Sequence, residues 1–243
     1  MRPRHLSLTL LLCCSAYVSA RQPAPTSQAA PPAPDRTSDV SQQWAHAVSQ
    51  VNQALAVVHT MSGDPVIAEA LRLANGVFIV PVYRRAAVGV GGGGGGGVML
   101  LRRPDGQWSA PVFYTLGALD VGLQAGAQRG PVALVLMNDK ATAEFTNKHN
   151  FSLGADAGLT LLSWHRLARS SVGSGDVIAW TSARGLFGDL LAVGVSDIHY
   201  NSALTNAYYR RTLAASDVTS GQVENVQALA LQQALAAAGS PAR

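Results

Sequence analysis

Two arginine pairs, Arg84-Arg85 and Arg102-Arg103, stand on either side of a run of seven glycines, Gly91 to Gly97. The chemistry this spacing puts forward is phosphate binding. A guanidinium offers a planar fork of N–H donors that matches two phosphate oxygens at once, so four of them brought together would chelate a phosphate group. Each Arg near an anionic lipid surface adds on the order of 1 kcal/mol, enough in sum for adsorption to anionic phospholipid head groups or to an envelope membrane surface. Such a cluster requires the two flanking segments to form a hairpin. Trp108, Phe113 and Tyr114 follow and could add apolar contact beside the arginines, with core packing as the competing use. Arg166, Arg169 and Arg184 make a second, sparser group. The ordinary alternative is that all of these are solubilising charges at strand ends.

Other chemistries find less material. Gly89, Gly91 and Gly94 satisfy G-x-G-x-x-G, but a glycine run satisfies almost any glycine pattern. A dinucleotide fingerprint must open a helix, whereas Val98-Met99-Leu100-Leu101 and the turn Pro104-Asp105-Gly106 follow here, and no Lys-Ser or Lys-Thr completes a P-loop. No H-E-x-x-H occurs, and His46, His59, His149, His165 and His199 lack the spacing of metal ligands on one helix face. Val172 occupies the place of the first glycine of a nucleophile elbow in the stretch Ser170 to Gly175. Most acidic residues fall at turns or caps (Asp64, Asp105, Asp139, Asp176), and Asp156, inside a small-residue strand, reads as an outward-facing or Arg-paired residue before it reads as a hydrolase acid. The expectation is therefore a protein that is not an enzyme, with no catalytic residue, metal or cofactor. A formal charge of +4 that includes Arg2 and Arg4 does not describe a nucleic-acid binder.

The elements that must position these groups follow from the pattern. Residues 1–20 carry a basic start, an apolar run from Leu6 to Val18 and the small-residue exit Val18-Ser19-Ala20, which together predict a secretory signal peptide and a periplasmic or secreted protein. Lipoprotein anchoring at Cys13 or Cys14 is the competing reading. Residues 21–37 are rich in Pro and Ala and predict a disordered lead-in to a single domain over 38–238. Trp44, Val48, Val51, Leu55 and Val58 recur every three or four residues, the stripe of a core-facing helix. Asp64-Pro65 opens a second helix and Asn75-Gly76 ends it. Strands are predicted around Val77 to Pro81, Val98 to Leu101, Trp108 to Tyr114, Gly117 to Gln128, Val132 to Met137, Phe151 to Leu162, Val177 to Thr181 and Leu190 to Val195, with the glycine run as a wide turn, bulge or close backbone approach. Lys140 to Lys148, Asn201 to Arg211 and Val223 to Ala238 read as helices. Sequential strands with short connections predict an α+β fold: a mainly antiparallel, barrel-like or sandwich sheet with two N-terminal helices and C-terminal helices.

Several short motifs in order carry a resemblance. Ala74-Asn-Gly-Val77, Gly97-Val98, Gly106-x-Trp108-Ser-Ala-Pro111, Gly122-Leu-Gln-Ala-Gly126, Met137-Asn-Asp-Lys140, Leu153-Gly-Ala-Asp-Ala157, Arg184-Gly-Leu-Phe187 and Asn206-Ala-Tyr-Tyr209 together resemble the SYLF-domain family, over about Leu55 to Tyr209. The resemblance implies a lipid-binding family that includes a yeast actin-binding protein and many secreted bacterial members, with no established enzymatic activity. Departures occur: Arg85 stands where the family places a Lys, Gly188-Asp-Leu-Leu-Ala-Val193 replaces the usual continuation, and Leu162 to Arg169 stands in place of a Gly/Pro turn. Two classes of partner remain, an anionic phospholipid or membrane surface and an envelope protein bound by a structural or interaction module.

Overall fold

The computed structural model describes residues 36–88, 90–121, 126–153, 159–163, 175–183 and 195–239 of the 243. Two helices come first, α1 (Arg36–Ser62) and α2 (Pro65–Leu73). The Asp64 carboxylate accepts from the Val66 and Ile67 amides, and Pro65 occupies the first turn where its missing N–H costs nothing. On α1 the buried stripe is Ala47, Val51, Ala54, Val58 and Met61, with Val48 and Leu55 packed at its margin and Trp44 half-buried. Small Ala residues let the helix lie close on the strands beneath.

Eight strands follow: β1 (Gly76–Val88), β2 (Val90–Leu101), β3 (Val112–Val121), β4 (Gly126–Leu136), β5 (Asn150–Leu153), β6 (Leu161–Ser163), β7 (Val177–Trp180) and β8 (Val195–Tyr200). They form one curled sheet in the order β5-β8-β3-β2-β1-β4-β7-β6, antiparallel throughout except for the parallel β6–β7 pair. The helices α3 (Asp139–Asn147), α4 (Ser202–Tyr209), α5 (Ala215–Thr219) and α6 (Leu229–Ala238), with a 3-10 turn at Val226–Ala228 leading into α6, complete the described elements. This is the α+β architecture expected from the chain's pattern.

The sheet is covered on both faces. Val77, Ile79, Val98, Leu100, Phe113, Ala133, Val135 and Ile178 pack beneath α1, α2, α4 and α6. The alternate residues Phe78, Val80, Met99, Val112, Tyr114, Val132, Leu134 and Leu136 face α3, α5 and the outer strands, where Phe78, Tyr114, Phe145 and Phe151 stack edge to face. A strand buried on both faces reads as an unbroken apolar run, which is why Val132 to Leu136 and Val77 to Val80 carry no polar alternation.

Several expectations are corrected. Of the uses expected of the glycine run, close backbone approach holds and the wide turn does not: β1 and β2 reverse with Val88 opposite Val90, and Gly91 to Gly97 are the body of β2, where a Cβ on Gly95 or Gly97 would meet a carbonyl oxygen of β1. Trp108 precedes β3 and only bridges to Arg102, and the one strand expected over Gly117 to Gln128 is divided, 117–121 ending β3 and 126–128 opening β4. Phe151 to Leu162 is two short strands rather than one, with 154–158 and Asp156 outside the described residues. The strand expected over Leu190 to Val195 also falls largely outside them, and β8 continues from Val195 to Tyr200.

Candidate functional site

At Gly93, Gly95, Gly96 and Gly97 the neighbours of β2 leave no room for a side chain. A Cβ on Gly95 would lie 2.5 Å from the Val82 carbonyl oxygen, and one on Gly97 would lie 2.5 Å from that of Ile79. On the opposite face, a Cβ on Gly96 would collide with the buried Gln50 amide of α1. Gln50 marks the edge of the helical cover. Two residues along the strand, Gly94 lines an open cavity of about 920 Å³.

Strand register sets the walls of that cavity. Across the sheet, Arg129 of β4 stands opposite Arg84 of β1, Arg84 opposite Gly94 of β2, Gly94 opposite Gly117 of β3, and Gly117 opposite Asp197 of β8. All five line the cavity. The floor is bare backbone, with two arginines on one side and one carboxylate on the other. Arg84 and Arg129 are exposed, and neither has a carboxylate or hydrogen-bond partner among the described residues. Like charges directly opposite on neighbouring strands destabilise the pair, so this arrangement opposes folding and suits the capture of an anion.

The Asp197 carboxylate is half engaged. Its Oδ1 meets His199 Nε2 at 2.5 Å, while the other nitrogen of that ring lies 2.6 Å from Asn150 Oδ1. Its Oδ2 is directed over the floor, 3.6 Å from where a Cβ on Gly117 would be. Arg85 contributes to the lining, but by strand alternation its half-buried side chain belongs with Tyr83 on the other face of the sheet.

The arginine pairs expected to cluster do not meet. Gly76, eight residues before Arg84, pairs with Leu101, so Arg102 and Arg103 lie about 26 Å along the hairpin from Arg84 and Arg85. Their cause is structural. Arg102 donates to the Leu71 and Ala74 carbonyl oxygens at the end of α2, at 3.0 and 2.9 Å, and its partial burial lowers its pKa from the usual guanidinium value. Arg103 bonds Gln107 and pairs with Asp105 at 3.0 Å, holding the turn that Gly106 makes at φ 81°. Trp108 is 3% exposed and, with Arg103, lines a separate groove of about 430 Å³ against α6, where Val226 and Leu229 stand exposed. Arg166, Arg169 and Arg184 lie outside the described residues.

Arg129 and Asp197 are the site residues that sequence reasoning passes over. Arg129 precedes Gly130-Pro131, a pair that reads as a turn yet continues β4. Asp197 and His199 are two apart, and a period-two reading of Ser196 to Tyr200 would have put them on one face. Among the described residues, no group of three or more His, Asp or Glu side chains is placed to hold a metal ion, and no helix is long and apolar enough to cross a membrane.

A curled, mainly antiparallel sheet with helices on both faces and an open, glycine-floored cavity defines an α+β domain. Residues 117–238, half of the chain, match the family model Ysc84, described as "Las17-binding protein actin regulator", and the chain belongs to this family, the one its SYLF motifs resemble. It is 27% identical to the SH3 domain-containing YSC84-like protein 1 of Bos taurus over 159 residues, which are 64% of this chain and 46% of that protein. With the human protein of that name it shares 27% over 157 residues, 63% of this chain and 45% of the relative. An SH3 domain-containing protein of Schizosaccharomyces pombe is 26% identical over 131 residues, 52% of this chain and 30% of its own length. The chain thus spans less than half the length of these relatives.

Proposed function

We propose that this protein binds the phosphate of anionic phospholipid head groups, without catalysis, in the cavity floored by Gly94 and Gly117. One observation carries the reading: Arg84 and Arg129 face each other in register, exposed and without a partner among the described residues, over a glycine floor. Two guanidinium forks converging on one phosphate satisfy its charge and its directional acceptors together. The family description, that of a binding regulator, accords with a module that acts by attachment. In a secreted chain, which the first twenty residues predict, the surface met is an envelope membrane.

Co-sedimentation of the purified protein with phosphatidylglycerol vesicles tests this. Wild type should pellet at low salt and release as salt screens the contact, and Arg84→Ala/Arg129→Ala should stay in the supernatant while melting at the wild-type temperature. Equal pelleting of the two would remove these arginines from the function. The second reading, a protein-interaction module, draws on the exposed Val226 and Leu229 beside Trp108. It predicts association that is indifferent to lipid and lost on Leu229→Asp.

A further inference from the structure

Asp197 does not fit a cavity built for an anion alone. A carboxylate on the wall opposite two arginines repels phosphate and attracts a cation. His199 satisfies one oxygen, at 2.5 Å, and is itself held by Asn150, so the carboxylate is oriented rather than neutral to its surroundings. The other oxygen, Oδ2, is directed over Gly117 and has no hydrogen-bond partner among the described residues. The cavity is therefore two-signed. Donors stand on β1 and β4, an acceptor stands on β8, and among the described residues the two intervening strands line the cavity with glycine alone, Gly92, Gly93, Gly94 and Gly117.

We propose that the cavity recognises a phosphate ester carrying a primary ammonium group two carbons away, the phosphoethanolamine head, with Arg84 and Arg129 on the phosphate and Asp197 Oδ2 on the ammonium. Three strand spacings separate Arg84 from Asp197, about 14 Å between backbones. A long Arg side chain and a short Asp side chain reach inward from the two ends, and the remaining gap suits a short zwitterion. The chemistry of the cation is set by what meets it. A primary ammonium has N–H donors for a carboxylate oxygen, whereas a quaternary ammonium has none and is held by aromatic faces. No aromatic side chain lines the cavity among the described residues, so ethanolamine is favoured over choline.

This inference rests on the phosphate site proposed above, narrows its ligand from anionic heads in general to a head whose phosphate is paired with an ammonium, and is tested apart from it. Calorimetric titration of the purified protein would use O-phosphoethanolamine, O-phosphocholine and inorganic phosphate, each with wild type, Asp197→Asn and Arg84→Ala/Arg129→Ala. Wild type should bind phosphoethanolamine at least about tenfold more tightly than either of the others, a difference of about 1.4 kcal/mol. Asp197→Asn should abolish that preference while retaining phosphate binding. Wild type that binds phosphoethanolamine no better than phosphate overturns the inference and leaves the phosphate site standing; phosphate binding that survives the double Arg replacement overturns the phosphate site itself. The wild-type selectivity does not depend on any variant folding. Phosphatidylcholine vesicles with and without phosphatidylethanolamine identify the source. Binding to the doped vesicles alone assigns a bilayer lipid, and binding of the soluble head without the vesicles assigns a non-bilayer carrier of the same group. A wild-type preference that persists in Asp197→Asn would also reject the role given to Asp197.

Discussion

The guanidinium of Arg102 lies over the indole of Trp108, 4.6 Å from the ring centroid, while its N–H groups close the last turn of α2. The contact fastens the N-terminal helices to the open end of the β1–β2 hairpin. Arg102→Ala should leave the Leu71 and Ala74 carbonyls without this donor and lower stability by about 1–3 kcal/mol. Arg102→Lys should recover only part, because an ammonium lacks the fork that reaches both carbonyls. Urea melts measure both, and phosphate binding by the folded fraction should be unchanged because Arg102 stands at the far end of the hairpin from the cavity.

Gly97 and Gly117 predict opposite outcomes for the same substitution. A methyl on Gly97 would press on the Ile79 carbonyl oxygen, the Phe78 ring and the Val80 side chain at 2.5 to 2.9 Å, so Gly97→Ala should cost about 1–3 kcal/mol through strain in a packed sheet. At Gly117 the nearest heavy atom would be Asp197 Cβ at 3.5 Å, ordinary contact. Gly117→Ala should fold with an unchanged urea midpoint, yet it would raise the cavity floor and weaken phosphate binding. Loss of binding at Gly97 without loss of stability would contradict this account of the glycine strand.

The contrast also shows what the chain's pattern could and could not convey. Local signals carried the helices: Asp64-Pro65, Asn138 and Asn201 each cap the helix expected after them. Apolar runs carried the strands that are buried on both faces. The glycine run signals a close backbone approach but not a strand, because strand propensity argues against glycine; the residues that approach, Val82, Ile79 and Gln50, are distant along the chain. The same uncertainty displaced the hairpin turn, and with it went the grouping of Arg102 and Arg103 with Arg84 and Arg85. Arg129 and Asp197 join the site through register, a relation among four strand pairs that no local window contains.

Asp64 gives a prediction free of the cavity. Its carboxylate accepts from the Val66 amide at 2.9 Å and from that of Ile67 at 3.4 Å. Asp64→Ala should therefore cost about 1 kcal/mol, and Asp64→Asn much less, since an amide oxygen still caps. Denaturant midpoints distinguish them. An Ala variant as stable as wild type would mean that packing alone holds the start of α2.

Asp176 carries a pH-dependent prediction. The Thr160 amide donates to one of its oxygens at 2.6 Å and Asn138 Nδ2 to the other at 2.6 Å, tying the approach to β7 both to the segment before β6 and to the cap of α3. The Thr160 amide first, then Asn138 and the charge of Lys140, hold its carboxyl below the usual carboxylate range. A folded-state pKa below the unfolded value of about 3.9 stabilises the fold above that pH, and the contribution is lost as pH falls through the folded pKa. Asp176→Asn removes the charge but keeps one acceptor. The difference in stability between wild type and variant should be largest and constant at neutral pH, then shrink below about pH 4 as wild type protonates. Glu69, paired with Arg72, is also held low but is present in both proteins and cancels in the difference. A difference that stays constant into acid would show that the two hydrogen bonds do not depend on the charge of Asp176.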